Sequence, residues 1–177
     1  MALNLRQGDE VICCSHTMLA TASAIKVAGG IPIPVEIGHD NLIDPDAVED
    51  AITSRTVGIM PTQLNGRTCD MERIMQIANK YKLYVVEDAA QHWLSWDCKR
   101  IAPSAISFDP TKNLANYGNG GAVLTKSKGI DTFVRNYRSN GKNNNTSGTN
   151  SRMSEIDCAT MLIKTNYLDE WQSRRQS

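Results

Sequence analysis

The sequence predicts an α/β fold: a three-layer αβα arrangement around a mostly parallel, mixed sheet. Three observations carry this reading. From Val11 onward, short apolar runs alternate with longer amphipathic segments, the pattern of βαβ units. Turn and capping residues punctuate the runs, and the apolar run at 83–87 ends in acids, as buried parallel strands do at a ligand-bearing edge. The 177 residues, 41% hydrophobic and 21% charged, suffice for one core and exclude disordered and fibrous classes.

The elements follow in order. Strands are predicted at 11–14, 32–37, 57–61 and 83–87, with helices between them at about 19–28, 45–53 and 71–81. Asp44 is a ready N-cap, with Pro45 at the first helical position. Asp70 caps the third helix, where Met71, Ile74, Met75, Ile77 and Ala78 form one apolar face for packing on a sheet. Two further strands, at 105–108 and 121–125, flank a polar loop. A helix at about 129–138, an Asn/Gly/Ser/Thr-rich loop at 140–150 and one long helix from Ser154 to about Arg174 complete the expected order. No repeat or second core is evident, so a single domain is expected over 1–177.

Several function classes are excluded at this level. Nineteen Lys plus Arg balance nineteen Asp plus Glu, so nothing marks a polyanion-binding surface, and no nucleic-acid partner is expected. The longest nearly uncharged apolar stretch, 27–35, is about half a bilayer span. No membrane association is expected. The five cysteines, Cys13, Cys14, Cys69, Cys98 and Cys158, form no C-x-x-C pair, and His16, His39 and His92 are scattered; no metal site is expected. Unpaired thiols and the lack of an apolar leader after a basic start point to the cytoplasm. Cys13 and Cys14 read as core residues, and Asn143 to Asn145 as a loop tip. Gly118-x-Gly120-Gly121 precedes a strand rather than opening a helix, so it fails as a dinucleotide fingerprint. Trp93 and Trp96 either line a substrate pocket or cap the core.

Two segments carry chemistry. Val85-Val86-Glu87-Asp88-Ala89-Ala90-Gln91 is a buried strand that delivers Asp88 to the carboxyl edge of the sheet, where ligands of open α/β sheets bind. Ile106-Ser107-Phe108-Asp109-Pro110-Thr111-Lys112-Asn113 delivers a hydroxyl and an amine able to form a Schiff base. A strand-end anion and a loop lysine are the two groups that pyridoxal 5′-phosphate (PLP) requires, although such a pair also occurs as ordinary surface charge.

With these stand Gly8-Asp9-Glu10-Val11-Ile12, Asp70-Met71, Thr111-Lys112-Asn113-Leu114, Gly120-Gly121-Ala122-Val123 and Asn150-Ser151-Arg152-Met153. In this order the motifs resemble the DegT/DnrJ/StrS sugar aminotransferases, PLP enzymes of fold type I, over almost the whole chain. The resemblance implies that Lys112 is the Schiff-base lysine and the proton-transferring acid and base. It implies that Asp88 partners the pyridinium nitrogen, Gln91 contacts the ring's 3′ oxygen and Ser107 binds the phosphate. Asn150 would cross a homodimer interface to the neighbouring subunit's phosphate. The implied substrates are a nucleotide-linked keto sugar and glutamate or glutamine as amino donor.

The sequence also departs from that pattern. Met18 stands where the family has an aromatic residue stacked on the cofactor, and would cover the ring with less area. The stretch from Gln91 to Ser107 is shorter than usual, and Thr62 to Asn65 lacks the family's His and Tyr before Gly66. The family's earlier Gly-Thr phosphate-binding turn and its C-terminal small domain have no counterpart, so the chain is expected to be the central part of a large domain. Two alternatives stand beside the aminotransferase: a non-catalytic remnant of the family, and a relative of the PLP-dependent sugar dehydratases, which typically carry His where this sequence has Lys112.

Overall fold

The computed structural model of the chain describes residues 2–92, 102–141 and 147–176. Four parallel strands, β1 (Glu10–Cys14), β2 (Ile31–Val35), β3 (Thr56–Met60) and β4 (Tyr84–Val85), lie in the order β2-β1-β3-β4. Next come β5 (Glu87–Asp88), β6 (Ser104–Ser107) and β7 (Gly121–Leu124), with β5 and β6 parallel and β7 antiparallel. The expected strand at 83–87 is therefore two short pieces joined through Val86. Tyr84 and Val85 pair with β3, whereas β6 begins opposite Glu87. The Val86 N–H donates to the Ile59 carbonyl at 3.1 Å and that of Asp88 to Pro61 at 2.9 Å, so the ladder passes unbroken from one group of strands to the other.

Alternation along β1 assigns the layers. Ile12 and Cys14 face a core completed by Val48 of α2 (Pro45–Asp50) and by Ile74, Ile77 and Ala78 of α3 (Met71–Tyr81). Val11 and Cys13 face the opposite side, against Ile25 of α1 (Leu19–Val27). Helices cover both faces, as a strand that is buried along its whole length requires. Burial pushes the Cys13 thiol up to about 11 and that of Cys69 to about 12, so both are neutral core groups. Asp44 and Asp70 cap their helices as expected, accepting from the backbone N–H groups of Asp46 and Arg73.

The expected long C-terminal helix is two helices, α5 (Glu155–Thr165) and α6 (Leu168–Gln176), following α4 (Lys128–Tyr137). At the break, Asn166 and Tyr167 bond back to Ile163 and Lys164, three residues earlier instead of four, and the Thr165 hydroxyl donates to the Leu162 carbonyl. The turn lets Leu168 fold back beside Met161 onto Leu114, forming a separate core with Phe108 and Met153. Leu114 is 1% exposed and lies two residues after Lys112, so this small core anchors the lysine loop. The loop at 140–150 closes at its ends, where Asn140 and Thr149 join by a backbone hydrogen bond and Ser139 bridges Asn150. Residues 143–145, Trp93, Trp96 and Cys98 lie outside the described residues. Among the described residues no helix is long and apolar enough to cross a membrane.

Candidate active site

The site forms where the central strands end. The Asp88 backbone is held on both sides: its N–H donates to Pro61 and its carbonyl accepts from the Gln63 N–H at 2.8 Å. Its half-buried carboxylate accepts from the Ala90 N–H through Oδ1 at 3.1 Å and from the Thr21 hydroxyl through Oδ2 at 2.6 Å. Thr21 Oγ1 lies 2.8 Å from Thr17 Oγ1, which lies 2.9 Å from Thr62 Oγ1. Beneath, buried Glu87 accepts from Gln63 Nε2 and the Ser104 hydroxyl, while Gln63 Oε1 takes the Cys69 N–H. Gln63 thus serves the core.

The lysine loop is shaped by its own side chains. Ser107 Oγ accepts the Asp109 N–H at 3.2 Å, and Asp109 Oδ1 accepts both the N–H and the hydroxyl of Thr111. Lys112 N–H then closes onto the Asp109 carbonyl at 2.9 Å. The Thr111 hydroxyl first, its N–H next and the Lys112 charge last hold the Asp109 carboxyl below its ordinary value. Further along, Asn116 N–H donates to the Phe108 carbonyl and Lys164 Nζ to the Ala115 carbonyl, fixing the exit of the loop.

Gln91, Ser107 and Lys112 line one cavity of about 630 Å³, with Ala89, Ala90 and Asn113 between them. That volume is within the roughly 300–1,000 Å³ of small-molecule sites. Gln91 Oε1 accepts the Asn65 N–H at 2.9 Å, which turns its amide nitrogen into the donor left for a ligand. Asn65 and Gly66 both have left-handed backbone, with φ of 53° and 75°, and this turn aims the Asn65 N–H. Asp88 lies just behind the wall, tied to it through Ala90. An amine, a hydroxyl and an amide donor around one cavity, with a strand-end carboxylate behind, match what the ring and phosphate of PLP need.

Two other sequence candidates stand apart from this lining. Met18 is 66% exposed at the N-terminus of α1, and Asn150 is exposed at the base of the 140–150 loop. Sequence reasoning did not single out Thr17, Thr21 and Thr62. Threonines near strand ends are common, and only the fold brings these three into one chain. Nor did it find Gln172 of α6, which lines the cavity and whose amide oxygen is buried without a partner among the described residues. Of the histidines, His16 and His39 are exposed, and buried His92 bonds to the Thr68 hydroxyl at 3.0 Å.

A mostly parallel sheet between helical layers, with this site at its strand ends, has the architecture of the fold type I aminotransferases. The chain matches the DegT/DnrJ/EryC1/StrS aminotransferase family over residues 1–177 and belongs to it. It is 40% identical to a dTDP-3-amino-3,4,6-trideoxy-alpha-D-glucose transaminase of Streptomyces venezuelae, over 99% of this chain and 49% of that protein. It is 39% identical to a 3-oxo-glucose-6-phosphate:glutamate aminotransferase of Bacillus subtilis, over 95% of this chain and 40% of that protein. The crystal structure of S. venezuelae DesV with a ketimine intermediate superposes with a TM-score of 0.93 at 38% identity, covering 99% of this chain and 50% of that one. That of B. subtilis NtdA with bound cofactor PMP gives 0.89 at 38% identity, covering 94% and 40%. The chain spans about half the length of the curated relatives it matches.

Proposed function

We propose that this chain carries the cofactor site of a PLP-dependent aminotransferase that moves an amino group from glutamate or glutamine to a nucleotide-linked keto sugar. The observation that carries the reading is the convergence of Lys112, Ser107 and Gln91 on one cavity, with Asp88 immediately behind it. When bound, PLP supplies an aldehyde that captures amines and a protonated ring that withdraws electrons from the bond being broken.

The chain's own groups supply the rest. Lys112 holds the cofactor's aldehyde carbon through its amine and moves the proton between that carbon and the donor's α-carbon. Asp88, its orientation fixed by two donors, keeps the proton on the ring nitrogen. Gln91 Nε2 donates to the ring's 3′ oxygen, and Ser107 Oγ binds the phosphate. Met18 covers the ring, and Asn150 reaches the phosphate of a second subunit in a cytoplasmic homodimer with the site at its interface. The sugar substrate is supported by the relatives' own activities, among them a dTDP-amino-sugar transaminase and a UDP-2-acetamido-2-deoxy-3-oxo-D-glucuronate aminotransferase. The reading involves neither nucleic acid nor membrane.

The test is borohydride reduction of the PLP-loaded protein followed by peptide mapping. Label on the peptide containing Lys112 is expected, and label on another lysine overturns the assignment.

A further inference from the structure

The three hydroxyls behind Asp88 form a chain whose direction is fixed. An ionised carboxylate has no proton to give, so Thr21 donates to Asp88 Oδ2, at 2.6 Å. A threonine hydroxyl has a single proton. Thr21 has spent its own and must accept from Thr17 at 2.8 Å, and Thr17 in turn must accept from Thr62 at 2.9 Å. The order Thr62 to Thr17 to Thr21 to Asp88 therefore follows from one charge.

The chain also has a mechanical meaning. Thr17 lies in the loop after β1, Thr21 in the first turn of α1, Thr62 just beyond β3 and Asp88 at the end of β5. Three strand ends are thus tied at one point, and the link from Thr17 to Thr21 straddles Met18, the N-cap of α1. Thr62 is itself fixed, because the Cys69 thiol donates to its backbone carbonyl at 3.2 Å. Hydrogen bonds in a row polarise one another, so the last donor, which meets the charge, is strengthened by those behind it.

We infer that Thr21, fed by Thr17 and Thr62, is a positioning residue that sets the orientation of the Asp88 carboxylate toward the cofactor ring and couples it to the Met18 loop. The inference rests on the reading of Asp88 as the partner of the ring nitrogen.

The experiment compares Thr21→Val, which keeps the shape and removes the hydroxyl, with Thr21→Ser, Thr17→Val and Asp88→Asn. Each variant is titrated with PLP, the visible spectrum of the bound cofactor is recorded, and the melting temperature is measured without PLP. Thr21→Val is expected to weaken PLP binding by roughly fivefold, about 1 kcal/mol, and to shift the visible band in the same sense as Asp88→Asn. Thr21→Ser should restore both. Thr17→Val, which leaves the last donor in place, should move them in the same direction by less. A Thr21→Val protein that only melts earlier, with affinity within twofold and an unchanged band, overturns the inference, as does failure of serine to rescue. If Asp88→Asn also leaves affinity and band unchanged, the assignment of Asp88 itself falls, and the inference with it.

Discussion

Asp88→Asn separates the charge of this residue from its place in the structure. Its two donors differ in kind: the Ala90 N–H cannot reverse, so the asparagine oxygen must stay on that side, 3.1 Å away. The new amide NH₂ then faces Thr21, which has to turn its proton toward Thr17, and Thr17 its own toward Thr62. The chain runs backwards with its spacing intact. The cost to the fold is the charge assistance lost by both bonds to the carboxylate plus a Thr62 hydroxyl seeking a new acceptor, about 2 kcal/mol in sum. For a chain of 177 residues, that sum lowers the melting temperature by roughly 4–8 °C. The effect on chemistry is far larger. A neutral amide does not keep the ring nitrogen protonated, and several kcal/mol in the barrier, at about 1.4 per tenfold, means a fall of at least a hundredfold. On the proposed roles of Lys112 and Ser107, PLP is expected to stay bound at saturating concentration. The assays are thermal unfolding without ligand and the half-reaction with glutamate, followed by the loss of visible absorbance. A half-reaction within tenfold of the parent refutes the role of the charge. Melting lowered by much more than 8 °C refutes the reversible hydroxyl chain.

Leu114→Ala opens the small core shared with Met161 and Leu168, and unfolding should show a loss of about 2–4 kcal/mol, with PLP binding by Lys112 weakened in parallel. Gly121→Ala puts a methyl group 2.7 Å from the Ile106 carbonyl oxygen on the neighbouring strand, so β7 must move; denaturant titration should register about 1–3 kcal/mol. The Asp109 carboxyl titrates below its ordinary value of 3.8, so its stabilisation of the lysine loop is complete above that pH and is lost as pH falls through the lower, folded value. Hydrogen exchange of the Thr111 and Lys112 amides should therefore accelerate, relative to its intrinsic rate, only as pH falls below about 4, and Asp109→Asn should remove that dependence. Acceleration beginning near neutral pH contradicts this account.

Much of the architecture was legible in the residues because the signals are local. The short apolar run of β1, the apolar face of α3, and Asp44 and Asp70 before their helices each act over a turn or a strand, and each stands as read. The motifs around Asp88 and Lys112 pointed to the family for the same reason: each is one contiguous run of residues, 85–91 and 106–113. What escaped was decided by partners distant in sequence. Near Asn166 the local signals are weak, a Thr-Asn pair with neither Gly nor Pro, and the helix divides there so that Leu168 can reach Leu114, 54 positions earlier. The strand at 84–88 is one run in the sequence, but its two halves differ because β6 begins only opposite Glu87. The hydroxyl chain joins Thr17, Thr21, Thr62 and Asp88 across as many as 67 positions, and Gln91 acquires its donor orientation from Asn65 on another loop. Composition and periodicity determine which face of an element is buried, since burial follows from the side chains of that element alone. Which hydroxyl meets which carboxylate depends on how strand ends converge, and that convergence exists only in the folded chain.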